Sequence, residues 1–398
     1  MSTSIVTFPP SESAVRVRMM NPGAVMTVKA ESFVKPVQKG HELLNLTCTA
    51  YLIEHESSGK KVMFDLGVRK DWWNLSPVIH KRLGSTIPGL RVDTDVPEIL
   101  KNNGISLDSI SSVIWSHYHW DHVGDMSLFP HSTEIVVGAG FKDSTVGPGY
   151  PENEDSPLRS SDFKERHLNV IDFTKSPSEI GGFAAHDFFG DGSFYILGDD
   201  VPGTHTPGHC LGHMCGLART TGGKNSTFLL LGGDICHFVG DLRPNKSYPL
   251  PDPIPNDVLD KDSFFPTPCP CSIFTDHHPI LSDDTDVEER RTTPWYQVSD
   301  HEKSAYVDPP AAQSSVDKLV GFERCPNVLI CLSHDSGLLR YLPTLNSDPK
   351  SDLNSWRKNN WKEETRWEWL NELPRDGKPG RKPIVEGLWR DGKPSDRT

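Results

Sequence analysis

The chain has 398 residues, 35% of them hydrophobic and 9% aromatic, with a formal net charge of -13 at pH 7. That charge repels phosphate backbones and anionic membrane surfaces, and no basic stripe interrupts it, so nucleic acid is excluded as a partner. A content of 33 prolines and 32 glycines excludes a helical bundle and predicts a loop-rich, β-containing protein with one large domain and additions.

The opening residues, MSTSIVTFPPSESAVRVRMM, hold no apolar run suited to a secretory signal. No later stretch approaches the roughly 18 apolar residues of a membrane span, so a cytoplasmic location is expected. Cys48, Cys210, Cys215, Cys236, Cys269, Cys271, Cys325 and Cys331 are scattered, several in apolar runs, and are expected as buried free thiols rather than disulfides. In a chain without a secretory signal, the glycosylation patterns at Asn45 and Asn225 are read as chance.

Strands are expected over 48–53, 62–64, 113–115 and 134–137. Between them a helix follows Asp95, with Pro97 in its first turn, Glu98 completing a capping box and Gly104 as the stop. Further strands fall at 194–197, 228–231 and 328–332, and two successive mixed halves predict a layered α/β sandwich. The proline-rich, charged stretch 241–312 reads as an inserted lid-like segment. Its aromatics Phe264, Phe265, Phe274, Trp295 and Tyr296 are expected to pack, and His277, His278 and His301 to lie at the surface. The catalytic domain is thus drawn over 1–344, with a C-terminal extension over 345–398. In that extension a helix over 352–370 carries Trp356, Trp361, Trp367 and Trp369, and a mobile tail follows. RDGKP at 375–379 recurs at 390–394, too short and polar to mark a structural repeat.

The densest chemistry is Ser116-His117-Tyr118-His119-Trp120-Asp121-His122, where an apolar strand ends and four metal-competent side chains follow. Imidazole and carboxylate suit zinc, and a loop at a strand end can aim close neighbours inward; manganese, iron and cobalt also accept such ligands.

His117-x-His119-x-Asp121-His122 resembles the signature of the metallo-β-lactamase superfamily. The stretch Thr206-Pro207-Gly208-His209 resembles its second motif, Asp234 after the strand 228–231 matches its bridging carboxylate, and Ser333-His334-Asp335 matches its terminal histidine. Val62-Met63-Phe64-Asp65-Leu66-Gly67 is similar to its early strand ending in an Asp turn. The resemblance implies an αβ/βα four-layer sandwich and two zinc ions, one on His117, His119 and His209 and one on Asp121, His122 and His334, bridged by Asp234. It further implies a hydroxide held between the metals as the nucleophile, with Asp121 moving a proton to the leaving group. The nearby His205 and His213 are expected in supporting roles.

The TPGH-x-x-GH form of 206–213 is most similar to the lactonase-like branch of that family. Quorum-sensing lactonases of the branch carry a tyrosine three residues after the bridging aspartate; here that position is His237, which argues against acyl-homoserine lactone but can still donate to an oxyanion. The resemblance therefore implies a zinc-dependent hydrolase that opens a lactone or γ-lactam of a small metabolite or xenobiotic, in detoxification or secondary metabolism. Two alternatives are an acyl-thioesterase, with Arg69, Lys70 and Arg243 as candidate phosphate contacts, and an iron-dependent oxidoreductase of the same fold. Dimerisation through the tryptophan-rich segment is a further expectation.

Overall fold

The computed structural model describes residues 6–141, 147–176, 178–198, 208–261 and 263–395. Two six-stranded sheets form its centre. The first has the order Arg16–Met20, Ala50–His55, Lys60–Phe64, Ile110–Ile114, Glu134–Gly138, Leu168–Ile171. The second has the order Ser178–Ile180, Phe183–Asp187, Phe194–Gly198, Cys215–Thr221, Thr227–Leu231, Val328–Cys331.

Strand alternation builds the layers. Successive side chains of a strand point to opposite faces, so Phe64 and Ile114 of the first sheet meet Phe194, Leu229 and Leu329 of the second in one buried cluster between the sheets. The intervening Met63 and Val113 turn outward onto Ile99 and Leu100 of the helix Val96–Asn102. On the far side Phe228 and Leu230 turn onto Val316, Leu319 and Phe322 of the helix Pro309–Glu323. The result is helix, sheet, sheet, helix, the expected four-layer sandwich. The cap of Val96–Asn102 is as expected, with Asp95 accepting from the Glu98 amide at 2.9 Å.

A five-stranded sheet lies beside this body, in the order Lys393–Ser395, Gly387–Arg390, Gly89–Val92, Ala24–Lys29, Leu43–Thr47. Its outer strands correct the expectation of a mobile tail. Arg390 pairs with Lys393 around Asp391 and Gly392, both at positive φ, and Arg375 bridges Lys378 around Asp376 and Gly377, also at positive φ. The RDGKP repeat is therefore the same tight Asp-Gly turn used twice, the conformation that closes a two-residue hairpin without splaying its strands. Residues 396–398 lie outside the described residues.

The helix expected over 352–370 is replaced by two short pieces, Trp361–Thr365 and the 3-10 turn Glu368–Glu372. Asn360 at φ +60 breaks the run, a left-handed conformation that asparagine tolerates. Trp356, Trp367 and Trp369 are buried all the same, and the Lys362 ammonium donates to the carbonyls of Glu323, Cys325 and Val328 at 2.6–2.9 Å. Segment 241–312 is likewise packed: Phe265, Phe274, Trp295, Tyr296 and His278 are buried, His278 against Trp295, while Phe264 stays exposed. All eight cysteines are free and buried. Among the described residues no helix is long and apolar enough to cross a membrane.

Candidate metal centre and active site

The site lies past the C-terminal ends of two parallel strand pairs, the position where open α/β sheets present ligand-binding loops. Lys60–Phe64 and Ile110–Ile114 are one such pair, leading into Asp65 and into His117 to His122; Thr227–Leu231 and Val328–Cys331 are the other, leading into Asp234 and His334. Buried strands thus end, in register, at the residues that carry the chemistry.

Asp234 stands at the centre, with each carboxylate oxygen facing a different set of imidazoles. Its Oδ1 lies 3.0 Å from His122 Nε2 and 3.0 Å from His334 Nε2. Its Oδ2 lies 3.5 Å from His117 Nε2 and 3.4 Å from His209 Nε2. In the second set His209 Nε2 is 3.2 Å from His117 Nε2 and 2.9 Å from His119 Nδ1. Asp121 Oδ2 completes the first, 3.6 Å from His334 Nε2 and 3.9 Å from His122 Nε2. All seven residues singled out in the sequence therefore meet in two adjoining clusters.

The outward nitrogens are anchored. His122 Nδ1 faces Asp65 Oδ2 at 2.9 Å, and Asp65 also accepts from the Ser116 amide and hydroxyl at 2.7 and 2.8 Å. Ser116 Oγ in turn lies 3.0 Å from His117 Nδ1, and His334 Nδ1 donates to the Thr47 carbonyl at 2.7 Å. Such contacts fix the tautomer and aim of an imidazole. Two glycines make the loops possible. A Cβ on Gly233, at φ +54, would lie 2.8 Å from His213 Nε2, the atom that accepts the Asp234 amide at 2.9 Å. A Cβ on Gly208, at φ +96, would lie 2.0 Å from the Ala312 amide nitrogen, where the His209 loop meets the start of a helix. His205 lies outside the described residues.

Electrostatics divides the two clusters. Burial and neighbouring imidazoles hold His117 and His209 well below the ordinary histidine range, and burial followed by the Arg82 guanidinium takes His119 down to about 3. These rings keep free lone pairs. Burial acts the same way on His122 and His334, but the Asp234 carboxylate, joined at His122 by Asp65 and Asp121, outweighs it and raises both well above that range. The carboxylate-rich half therefore calls for positive charge. Asp234 Oδ1, His122 Nε2 and His334 Nε2 are buried and, although Oδ1 lies 3.0 Å from each nitrogen, do not meet in hydrogen-bonding geometry, a costly arrangement that a cation between them would relieve. The donor set fits a pair of metal ions.

Sequence reasoning overlooked several contacts. Cys210 places its sulfur within 4.8 Å of the ligand atoms of His117, His119 and His209, and burial, then Asp234, pushes its thiol well above the usual range. His237 turns Nε2 to within 3.0 Å of Asp234 Oδ2 and faces Tyr306 Oη through Nδ1 at 2.9 Å. No local pattern announces Tyr306, which arrives from the inserted segment. Arg69, Lys70 and Arg243 are committed to Asp71 and Asp125, to Glu98 and to Glu323 respectively. None of the three cations lines the cavity, so the phosphate contacts considered for a thioesterase are not formed by them.

That cavity, about 540 Å³, opens over the clusters and is walled by Met26, Val28, Leu46, Val78 and Ile79, with His119, Asp121, Asp234, His237 and His334 at its base. Residues 44–221 match the metallo-beta-lactamase superfamily. A "Gamma-lactamase FDB1" of Fusarium pseudograminearum is 38% identical over 368 residues, 91% of this chain and 83% of that protein. The chain belongs to the metallo-β-lactamase superfamily. A second relative, the "Metallo-hydrolase mfmC" of Annulohypoxylon moriforme, is 35% identical over 92% of this chain and 89% of that protein. Among solved structures, a quorum-quenching N-acyl homoserine lactone hydrolase superposes with a TM-score of 0.51 at 16% identity, covering 84% of this chain and 98% of that one, which shows the shared metallo-β-lactamase fold.

Proposed function

We propose that this chain is a dinuclear metallohydrolase, with zinc as the preferred ion, that opens the ring of a cyclic ester or cyclic amide in a small molecule. The observation that carries the reading is the division of one buried carboxylate, Asp234, between two imidazole clusters at the base of a cavity. His117, His119 and His209 would hold one ion, and Asp121, His122 and His334 the other, with Asp234 shared. Bound there, zinc supplies Lewis acidity towards a carbonyl and lowers the pKa of water to about 7.

The chain's own residues position and exclude. Asp65, Ser116 and Thr47 hold the imidazoles in place. The Asp121 side chain is 12% exposed against 2% for Asp234 and borders the cavity, so it is the carboxylate placed to hand a proton to a leaving group. His237 borders the same space, steadied by Tyr306, and offers an imidazole where a substrate oxygen develops charge. The designation of the Fusarium relative as a γ-lactamase supports a cyclic amide. Eight buried reduced thiols suit a reducing compartment such as the cytoplasm.

The test is metal content by mass spectrometry on the purified protein, paired with hydrolysis of γ-lactams, γ-lactones and acyl thioesters. Two zinc ions per chain with ring opening is the expected result. Turnover of thioesters alone would make the protein a thioesterase, and one iron with no hydrolysis would move it to redox chemistry.

A further inference from the structure

The cavity is larger than its metal-binding end requires. About 540 Å³ is the volume of a site for a drug-sized ligand, and a bare five-membered ring would leave most of it empty. Its wall is apolar: Met26, Val28 and Leu46 come from the five-stranded sheet, and Val78 and Ile79 from the helix Pro77–Ser85. Two cations interrupt this wall. Arg82 lies one helical turn beyond Val78 and Ile79, on the same face, and Lys303 comes from the segment that also supplies Ala305 and Val307.

Both cations are exposed, and neither side chain makes a hydrogen bond or ion pair with the described residues. Most of the other arginines here are spoken for, as Arg69, Arg219, Arg243 and Arg381 illustrate. In a chain of net charge -13, two cations bordering one cavity and unpaired among the described residues stand out. One rim carboxylate, Asp155, accompanies them, which leaves the rim beyond the metal-binding end with an excess of positive charge.

We propose that Arg82 and Lys303 form an anion subsite at the mouth of the cavity, so that the preferred substrate is a cyclic amide or ester whose apolar body bears a carboxylate. The guanidinium offers a planar fork that matches a carboxylate with two parallel hydrogen bonds, and the ammonium adds a point charge. The apolar body lies along Met26, Val28, Leu46 and Ile79, and the scissile carbonyl reaches the base. This rests on the ring-opening reading above and narrows its substrate class.

The test compares a benzo-fused γ-lactone bearing a ring carboxylate with its carboxamide, on the metal-loaded enzyme at low salt. The wild type is expected to favour the acid by about tenfold in kcat/KM, the scale of a charge-assisted contact partly exposed to solvent. Arg82→Gln and Lys303→Gln each reduce that ratio several-fold, the double variant abolishes it, and Arg82→Lys retains most of it. A ratio near one in the wild type, or one unchanged in the double variant, overturns the proposal. A second measurement separates it from the reaction: calorimetric binding of the corresponding indanone carboxylate, which has no ring bond to hydrolyse. If no lactone or lactam is opened but the indanone carboxylate binds more tightly than its carboxamide, and the double variant loses that preference, the anion subsite stands and the ring-opening reading falls.

Discussion

Tyr306 Oη lies 2.9 Å from His237 Nδ1, and the other nitrogen of the same ring lies 3.0 Å from Asp234 Oδ2. Through this chain of contacts a residue of the inserted segment reaches the shared carboxylate, with both rings buried. Removing the hydroxyl takes away the partner of His237 Nδ1 and leaves the ring held at one nitrogen only. Tyr306→Phe is expected to lower kcat roughly 10- to 100-fold with little change in KM, the usual scale for an outer contact of a metal site. Steady-state kinetics checks it, and a wild-type kcat would detach Tyr306 from the reaction.

Asp65 sits at φ +58 and orients both His122 and Ser116. Asparagine tolerates that backbone but cannot hold an imidazole as a carboxylate does. Asp65→Asn should therefore fold while weakening metal binding by about 10- to 100-fold. Competition with a graded chelator reads this directly, and unchanged retention of both ions would show that His122 needs no anchor.

Burial, opposed by Arg69 at 3.9 Å, raises the Asp162 carboxyl from its ordinary 3.8 to about 7. The folded state then keeps a proton that the unfolded chain has released, so Asp162 costs stability increasingly as pH rises from 4 to 7 and fully above it. Asparagine carries no such cost. Relative to the wild type, Asp162→Asn should gain about 2 kcal/mol in urea unfolding between pH 5.5 and pH 8.5. A pH-independent difference would place the Asp162 pKa in its ordinary range.

Lys362 donates to three buried carbonyls, of Glu323, Cys325 and Val328. Lys362→Met leaves those acceptors short of a donor while filling similar space, and a loss of about 2–4 kcal/mol is expected in urea unfolding. A change below roughly 0.5 kcal/mol would mean that water replaces the ammonium.

How much of this was legible in the sequence follows from the range of each interaction. The apolar runs at 113–115, 228–231 and 328–332 announce buried strands by local composition, and the residues that follow them are the ones that meet around Asp234. The contacts of His237 with Tyr306 and of His122 with Asp65 span 69 and 57 residues and leave no local pattern. The helix Pro309–Glu323 was hidden by its own start, because Pro309 and Pro310 read as loop although proline suits the first helical turn. The tryptophans at 356–369 gave a helical spacing that Asn360 interrupts. The Asp-Gly pairs were visible, but their strands are too short for a periodic signal.

Pairing of Gly387–Arg390 with Gly89–Val92 bears on how the protein is made. The strand Gly89–Val92 belongs to the same sheet as Met26, Val28 and Leu46, which wall the cavity. Its partner leaves the ribosome roughly 300 residues later, about 15–60 s at a synthesis rate of 5–20 residues per second. Throughout that interval this edge of the sheet has no neighbour, so the nascent chain already carries Met26, Val28 and Leu46 while the sheet that holds them still lacks its outer pair of strands.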